Sequence, residues 1–233
     1  MSMTMPESSA GHHARPPVQT APIRAQILAT EHWSLLATRS MTWSEVMSRI
    51  VIHLTVVSAS LVVLALIVQA DGFRGAFRVF SIGLAAIALL LGTLTGLRVF
   101  NASADDAAML IGMNRLRSAY LDLDPDIEPY FVTSRYDDHA GVMASQLMGT
   151  RRSVVSHVLG STGMFIHVVN ALVAGTLAAL IASALGATGW LIWTIAAVVG
   201  LVYLGTWIGM GSRRLGGFGH VSLFPSPPAV RGS

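Results

Sequence analysis

Two groups of polar side chains in this sequence could do chemistry, and the first of them is acidic. Residues 101–152 carry eight of the twelve acidic residues of the chain: Asp105, Asp106, Asp122, Asp124, Asp126, Glu128, Asp137 and Asp138. Asp137, Asp138 and His139 are consecutive, and two carboxylates beside an imidazole could contribute ligands to a metal ion. Asp137 or Asp138 could instead cap a helix running from Ala140 to Met148, because a carboxylate accepts hydrogen bonds from the free backbone N–H groups there. Capping is the favoured interpretation, so no metal site is predicted.

The second group is a pair of polar residues inside an apolar stretch. His167 and Asn170 are three positions apart, so a helix places them on the same face. An unpaired polar group in hydrocarbon is costly, so both side chains must face protein or water near the middle of a span. Imidazole is the side chain that can gain or lose a proton near neutral pH, so His167 could belong to a proton or ion pathway. The favoured interpretation is an interhelical hydrogen bond to a hydroxyl group, with these candidates: Ser58, Ser60, Thr93 and Thr95.

The composition predicts that these groups are held by membrane-spanning helices. Of the 233 residues, 53% are hydrophobic and only 12% are charged, which is too apolar for a soluble core. Apolar stretches occupy residues 50–70, 79–99, about 158–185 and 190–210. A stretch of about 20 residues crosses a hydrocarbon core of about 30 Å. The sequence therefore predicts an all-α polytopic membrane protein, with four transmembrane helices in two hairpins and a helical cytosolic insertion.

The segments before and within the first hairpin carry helix signals. Residues 1–20 predict a disordered tail, and residues 21–41 predict an amphipathic helix on the membrane surface or against the central segment. Thr42 and Glu45 have the spacing of a capping box, so the first membrane helix is predicted to begin there. The first hairpin then covers residues 42–100.

The rest of the chain divides into three further segments. Ser103 and Asp106 repeat the capping-box spacing and predict a helix over residues 104–121, within the acidic cytosolic segment 101–153. The second hairpin covers residues 154–211. Residues 212–233 contain several prolines and predict a second disordered tail.

The arginines predict the orientation of the chain in a bacterial plasma membrane. Thirteen of the fifteen lie on the side of the two tails and the central segment, whereas the turn after the first span has only Arg74 and Arg78. Arginine is enriched on the cytoplasmic side of membranes, so both termini and the central segment are predicted to be cytoplasmic. His53 and His157 then lie near the cytosolic ends of their spans, where they are expected to contact water or the acidic segment.

Small residues at four-residue spacing predict helix contact faces. In lipid, helices associate through close packing of small side chains rather than through the hydrophobic effect. The sequence contains such pairs in three places: Gly92 with Gly96, Ala196 with Gly200, and Gly205 with Gly209. We therefore expect a tight bundle, and self-association of the chain.

Several chemical signatures are absent from the sequence. There is no cysteine, which excludes disulfides, thiolate metal sites and cysteine nucleophiles. The basic residues flank apolar segments and form no basic face, so nucleic-acid binding is not predicted. No serine nucleophile elbow, phosphate-binding glycine loop or paired-histidine zinc motif occurs. We therefore expect neither an enzyme nor a bound cofactor.

One stretch of the central segment resembles a known motif. It runs from Met113 to Tyr120 as MNRLRSAY and continues through Pro129-Tyr-Phe131, Thr133-Ser134 and Asp137-Asp138. This pattern resembles that of a family of four-span integral membrane proteins of actinobacteria. The resemblance implies the same four-span plan with a prominent cytosolic motif. It implies no activity, catalytic residue or ligand.

These observations favour a membrane-anchored interaction or regulatory protein that acts through its cytosolic segment. The bilayer, a cytosolic protein and further copies of the chain are the expected partners. The candidate interaction motif consists of Asn114, Arg115, Arg117, Tyr120, Asp137 and Asp138. The alternative is a homo-oligomeric ion or proton channel or transporter, in which His167 and Asn170 form the polar intramembrane face. A metal-dependent membrane enzyme using Asp137, Asp138 and nearby histidines is the least favoured hypothesis.

Overall fold

The computed structural model describes residues 20–73, 75–147, 160–215 and 221–227. These residues are overwhelmingly helical and form no strand, which confirms the all-α fold class. The elements in chain order are α1 (Thr20–Asp71), α2 (Gly75–Leu123), a 3-10 helix (Pro125–Tyr130), α3 (His139–Leu147), α4 (Thr162–Ala184) and α5 (Gly189–Leu215).

Four of these helices, α1, α2, α4 and α5, are long and apolar enough to cross a membrane. The chain therefore has the architecture of a multi-pass membrane protein. The third of them begins later than the apolar pattern predicts, because Ser161 caps it by accepting a hydrogen bond from the Met164 N–H at 3.1 Å. His157 lies outside the described residues, as do both tails up to residue 19 and from residue 228.

Helices α1 and α2 are much longer than predicted. With 52 residues, α1 extends about 78 Å, more than twice the thickness of a hydrocarbon core. It does not begin at Thr42, and no separate helix begins at residue 104, because α1 and α2 run through both positions. The stretch from Ile23 to Asp71 contains neither glycine nor proline, so nothing in the sequence interrupts α1. Residues 21–41 thus extend the membrane helix instead of forming a separate surface helix.

The side chains that suggested capping boxes bind the neighbouring helix or their own helix instead. Glu45 accepts a hydrogen bond from Arg98 of α2 at 2.7 Å, and Asp106 accepts one from Arg39 of α1 at 2.6 Å. Ser103 donates to the Val99 carbonyl one turn earlier in α2. The two helices are therefore joined side by side well beyond their apolar halves.

Helix α2 is the centre of the bundle. It packs against α1 on one side and α4 on the other, and α4 in turn packs against α5. A buried apolar cluster lies where the first three of these helices meet, and it contains Val46, Ile50, Val99, Ala102 and Ile166. Helix α5 is peripheral, because its most apolar stretch has no buried residue.

The predicted small-residue faces are only partly used. Gly200 faces the Ala171 carbonyl so closely that a Cβ there would be 3.0 Å from the oxygen, and Gly92 and Gly96 face side chains of α1 and α4. Gly205 and Gly209 have no atom within 4 Å of the position a Cβ would take. The last pair therefore forms no contact face within the described part of this chain, because it lies on the open side of α5.

The part of the structure beyond the apolar cluster is called the head. It consists of residues 20–49 of α1, residues 98–123 of α2, the 3-10 helix, the following loop with α3, and residues 221–227. Ion pairs and ring stacking join α1 to α2 along this part, including His32 stacked on Tyr120 at 6.0 Å between ring centroids.

Candidate functional site

The loop between the 3-10 helix and α3 is fixed to α2 by polar side chains one turn apart. Asn114 Nδ2 donates to the Tyr136 carbonyl at 2.7 Å, and Ser118 Oγ donates to the Arg135 carbonyl at 2.7 Å. Arg117 donates to Oδ1 of Asn114 at 2.8 Å and reaches the Ser134 carbonyl at 3.5 Å. Positions 114 and 118 share a helix face, so α2 holds successive carbonyl groups of the loop.

Asn114 also ties α3 to α2. Its Oδ1 accepts a hydrogen bond from Ser145 of α3 at 2.9 Å, and the same hydroxyl accepts one from the Ser134 N–H at 3.2 Å. Asn114 is fully buried, so these bonds are shielded from water. Each polar atom of the amide thus has a partner, as a buried amide requires.

Asp138 caps α3, as the sequence predicts. Its Oδ1 accepts a hydrogen bond from the Gly141 N–H at 2.8 Å, three residues further on. Gly141 is required at this place because a Cβ there would overlap the Tyr136 carbonyl oxygen. The loop and the first turn of α3 therefore pack so closely that Asp137 and Asp138 have fixed positions on one side of the head.

That side of the head holds a segment from the far end of the chain. Residues 221–227, with the sequence Val-Ser-Leu-Phe-Pro-Ser-Pro, form neither helix nor strand and lie against the loop. The sequence predicts a disordered tail from residue 212, whereas α5 itself continues to Leu215. Backbone and hydroxyl groups of residues 221–227 have hydrogen-bond partners on the loop.

Asp137 is the main partner of this segment. Its carboxylate accepts hydrogen bonds from the Ser222 hydroxyl at 2.5 Å and from the Leu223 and Phe224 N–H groups at 2.9 and 2.8 Å. The Asp137 N–H in turn donates to the Phe224 carbonyl at 3.1 Å. Successive N–H groups of the segment therefore surround one carboxylate, which is a known way for backbone to bind an anion.

Arg115 and Asp138 complete the set of contacts. Arg115 donates to the Asp137 carboxylate at 2.8 Å and to the Val221 carbonyl at 3.1 Å. Asp138 accepts hydrogen bonds from the N–H and the hydroxyl of Ser226, each at 2.8 Å. We call Arg115, Asp137 and Asp138 the cradle.

The contacts also set the protonation of Asp137. Its side chain is fully buried, and burial by itself raises the pKa of a carboxyl group. The hydrogen bonds from Ser222, Leu223, Arg115 and Phe224 outweigh that effect and hold the pKa of Asp137 well below its ordinary value. In Asp138 the bonds from Gly141 and Ser226 likewise outweigh burial and lower the pKa. Both carboxyl groups are therefore charged at neutral pH.

No protein family, curated protein or solved structure matches the chain. What the site does must therefore be argued from its own geometry.

The cradle is not arranged as a metal site. Within residues 20–73, 75–147, 160–215 and 221–227, no group of three or more histidine, aspartate or glutamate side chains could hold a metal ion. The Asp137 and Asp138 carboxylates are directed at N–H and hydroxyl groups, and His139 is exposed at the start of α3. The described geometry suits the binding of peptide better than the binding of a cation.

The structure brings most residues of the predicted interaction motif together. These residues have two different roles. Arg115, Asp137 and Asp138 contact residues 221–227, whereas Asn114 and Arg117 hold the loop in place. Tyr120 lies further along α2, where its ring stacks on His32 of α1. Asn114 and Asp137 are fully buried, so the motif forms an internal site and not an open surface.

Sequence reasoning missed the segment at residues 221–227 and the groove beside it. The groove has a volume of about 480 Å³ and is bordered by both the head and the segment, through Ser118, Leu121, Pro125, Tyr136, Leu223 and Phe224 among others. The available signal was the pair of serines around an apolar Leu-Phe-Pro run, but composition alone assigned that region to a tail.

The second polar group consists of three side chains, not two. His167 and Asn170 of α4 are buried, and His53 of α1 is buried beside Asn170. Because α4 begins at Thr162, His167 and Asn170 lie in its first half, about 8 and 12 Å from its start. We call His53, His167 and Asn170 the buried polar cluster.

Two glycines of α2 make room for this cluster. A Cβ at Gly92 would overlap Asn170 Oδ1 and stand 2.6 Å from His53 Cε1, and a Cβ at Gly96 would stand 2.9 Å from His167 Cε1. The His167 ring stacks on Trp207 of α5, with 4.2 Å between ring centroids. Side chains of α1, α4 and α5 therefore meet around the cluster, in space that the two glycines of α2 leave open.

The predicted hydroxyl partners of the cluster bind elsewhere. Thr95 and Ser60 donate to carbonyl groups of their own helices, and Thr93 pairs with Tyr203 of α5 at 3.1 Å. Ser58 is exposed. In the described part of the chain, the His53 and Asn170 side chains lie close enough to interact with each other, whereas His167 Nδ1 has no hydrogen-bond partner.

Proposed function

We propose that this chain is a membrane-anchored interaction protein whose head binds peptide segments. The observation that carries the proposal is the set of seven hydrogen bonds between the cradle residues and residues 221–227. The cradle in this arrangement is occupied by the chain's own segment. Exchange of that segment for one from a partner would couple partner binding to the end of α5.

The way the cradle is built supports this proposal. Asn114, Ser118 and Ser145 position the loop through bonds that do not involve the segment at all. The charged groups of Arg115 and Asp137 are then left to bind it. One set of residues therefore shapes the site, and a different set binds the occupant. Such a site can retain its shape when the occupant leaves.

The distribution of charge supports a cytosolic head in a bacterial plasma membrane. The head contains most of the charged residues, and the described residues begin and end in it, at Thr20 and Pro227. Its surface also exposes apolar side chains beside the site, including Tyr130 and Val132. Exposed apolar groups beside a specific polar site are typical of protein interaction surfaces.

Site-specific photo-crosslinking in living cells tests the proposal. A photoreactive amino acid at Val132, in the head, is compared with one at Phe73, in the turn at the opposite end of the first hairpin; both side chains are highly exposed. We expect a discrete protein adduct from position 132 that is lost when Asp137→Ala is added, and none from position 73. Equal adducts from both positions, or an adduct that survives Asp137→Ala, would contradict the proposal.

Transport by an oligomer is a second candidate function, and the buried polar cluster is the observation that favours it. Burying three polar side chains in an apolar bundle is costly, and such a cost is typical of functional intramembrane groups. The open side of α5, with Gly205 and Gly209, offers a face for self-association. Purified protein in vesicles should then conduct protons or ions, with flux altered by His167→Ala. Vesicles that remain tight to protons and common ions would remove this candidate.

A further inference from the structure

The segment at residues 221–227 contacts the head through a specific subset of its groups. Two hydroxyl groups, of Ser222 and Ser226, and three N–H groups, of Leu223, Phe224 and Ser226, donate to the cradle carboxylates. The side chains of Val221 and Leu223 are mostly exposed and make no hydrogen bond to the cradle. The head therefore binds the segment through hydroxyl and backbone groups at fixed positions. Several side chains of the segment take no part in these hydrogen bonds.

The positions of the prolines agree with the set of N–H groups that bind the cradle. Pro225 and Pro227 occupy places where no N–H is used, whereas Leu223, Phe224 and Ser226 must each supply one. A proline at any of those three would remove a bond to a carboxylate. The segment has prolines only where the cradle allows them.

The structure assigns the cradle a ligand class: peptides with the pattern Ser-x-x-z-Ser, in which both x residues have a free N–H and z is any residue, proline included. This inference rests on the proposed function and specifies its ligand. Residues 221–227 are then an internal occupant that competes with peptides of the same pattern from a partner. Position x accepts different side chains, because Leu223 is exposed and Phe224 borders an open groove of about 480 Å³.

Charge makes the pattern selective against acidic residues. The Asp137 and Asp138 carboxylates only accept hydrogen bonds, so the facing positions must donate. An aspartate or a phosphorylated serine at either serine position of the pattern would place a negative charge against the Asp137 or Asp138 carboxylate. The two negative charges would repel each other. Peptides modified in that way should be rejected.

The covalent link to α5 determines how strongly residues 221–227 compete with a free peptide for the cradle. Residues 216–220, Gly-Gly-Phe-Gly-His, join Leu215 to the segment, and so short a tether keeps the local concentration of the segment in the millimolar range. A free peptide therefore binds measurably only when the internal segment is weakened. The full-length Ser222→Ala/Ser226→Ala variant weakens it without touching the cradle.

Fluorescence anisotropy with a labelled heptapeptide of residues 221–227 tests the inference. Wild-type protein and the Ser222→Ala/Ser226→Ala variant, both full length and in detergent micelles, are titrated with this peptide. We expect at least a tenfold lower Kd for the variant, and loss of binding when Asp137→Ala is added. In the variant, peptides with Leu→Pro at the third position or with both serines changed to alanine should bind at least tenfold more weakly. A peptide with Pro→Ala at the fifth position should bind nearly as well as the original.

The outcomes separate the inference from the proposed function. If the altered peptides bind the variant as tightly as the original does, the ligand class is wrong while peptide binding by the head stands. If no peptide binds although hydrogen exchange finds the variant's own segment released, both are wrong. If the segment of the variant is as protected as that of the wild type, the hydroxyl groups do not hold it and the ligand class fails.

Discussion

Gly92 of α2 lies directly against Asn170 of α4, with no space between them for a methyl group. The same position on α2 is within 2.6 Å of His53 of α1 when a Cβ is placed there. The missing side chain at Gly92 of α2 thus allows α1 and α4 to bring polar groups together inside an apolar bundle. This contact is the most constrained small-residue position among the membrane helices described.

Gly92→Ala should therefore destabilise the bundle. The added methyl group overlaps the Asn170 amide, and such overpacking typically costs about 1–3 kcal/mol. Gly83→Ala on the same helix is the control, since nothing lies within 4 Å of its Cβ position, and it should be neutral or slightly stabilising. Unfolding in mixed detergent and SDS micelles measures the stability of both variants. Equal stability of the two variants would show that α2 and α4 do not meet at Gly92.

Asp106→Ala should destabilise the head by about 2–3 kcal/mol. Its carboxylate is nearly buried and accepts bonds from Arg39 and from the Trp43 indole at 2.8 Å, so the change removes charge-assisted bonds and leaves two half-buried donors without a partner. Asp122→Ala is the matched control, because its pair with Arg24 is 3.9 Å apart and largely exposed, and should change stability by less than about 0.5 kcal/mol. Thermal unfolding in micelles distinguishes them, and similar effects would refute the assigned contacts.

Asp137→Ala should release residues 221–227 from the head. Hydrogen bonds to a charged group contribute about 1.5–3 kcal/mol each, so loss of the carboxylate should raise the exchange rates of the Leu223 and Phe224 amides at least tenfold. Hydrogen exchange with mass spectrometry measures this. Glu128→Ala, which removes an exposed carboxylate near the groove, should leave those rates unchanged.

Docking of the segment should depend on pH only in acid. Because the pKa of Asp137 is lowered in the folded state, its contribution to docking is fully present above the pKa of the unfolded chain, near 4, and is lost as the pH falls below that value. A fluorophore on Leu223→Cys should have constant anisotropy from about pH 8 to 5 and become mobile below about pH 4. Release between pH 7 and 6 would mean that another group controls docking.

Thiol labelling should locate the head. The chain has no cysteine, so single substitutions Val132→Cys and Phe73→Cys give unambiguous signals. With a membrane-impermeant maleimide on intact cells, we expect labelling at 73 only, and labelling at 132 after permeabilisation. The reverse pattern would place the head outside and contradict the proposed orientation.

The sequence by itself determined the four apolar helices and the cap on α3. Hydropathy is a local property, so each span could be found without knowing its neighbours, and Asp138 caps a helix that begins at the next residue. The continuity of α1 could also have been inferred, since no glycine or proline interrupts it. The capping-box pattern at Thr42 was misleading because Glu45 has its partner, Arg98, 53 positions away.

Only the tertiary structure decided what the polar residues do. Asp137 and Ser222 are 85 positions apart, and His53 meets Asn170 across more than a hundred residues, so no local pattern could join them. The acidic motif looked like an open interaction surface because its internal partner was hidden in an apparent tail. Long-range packing placed charged groups against backbone donors, and that contact, not the composition of either segment, made the tail part of the head.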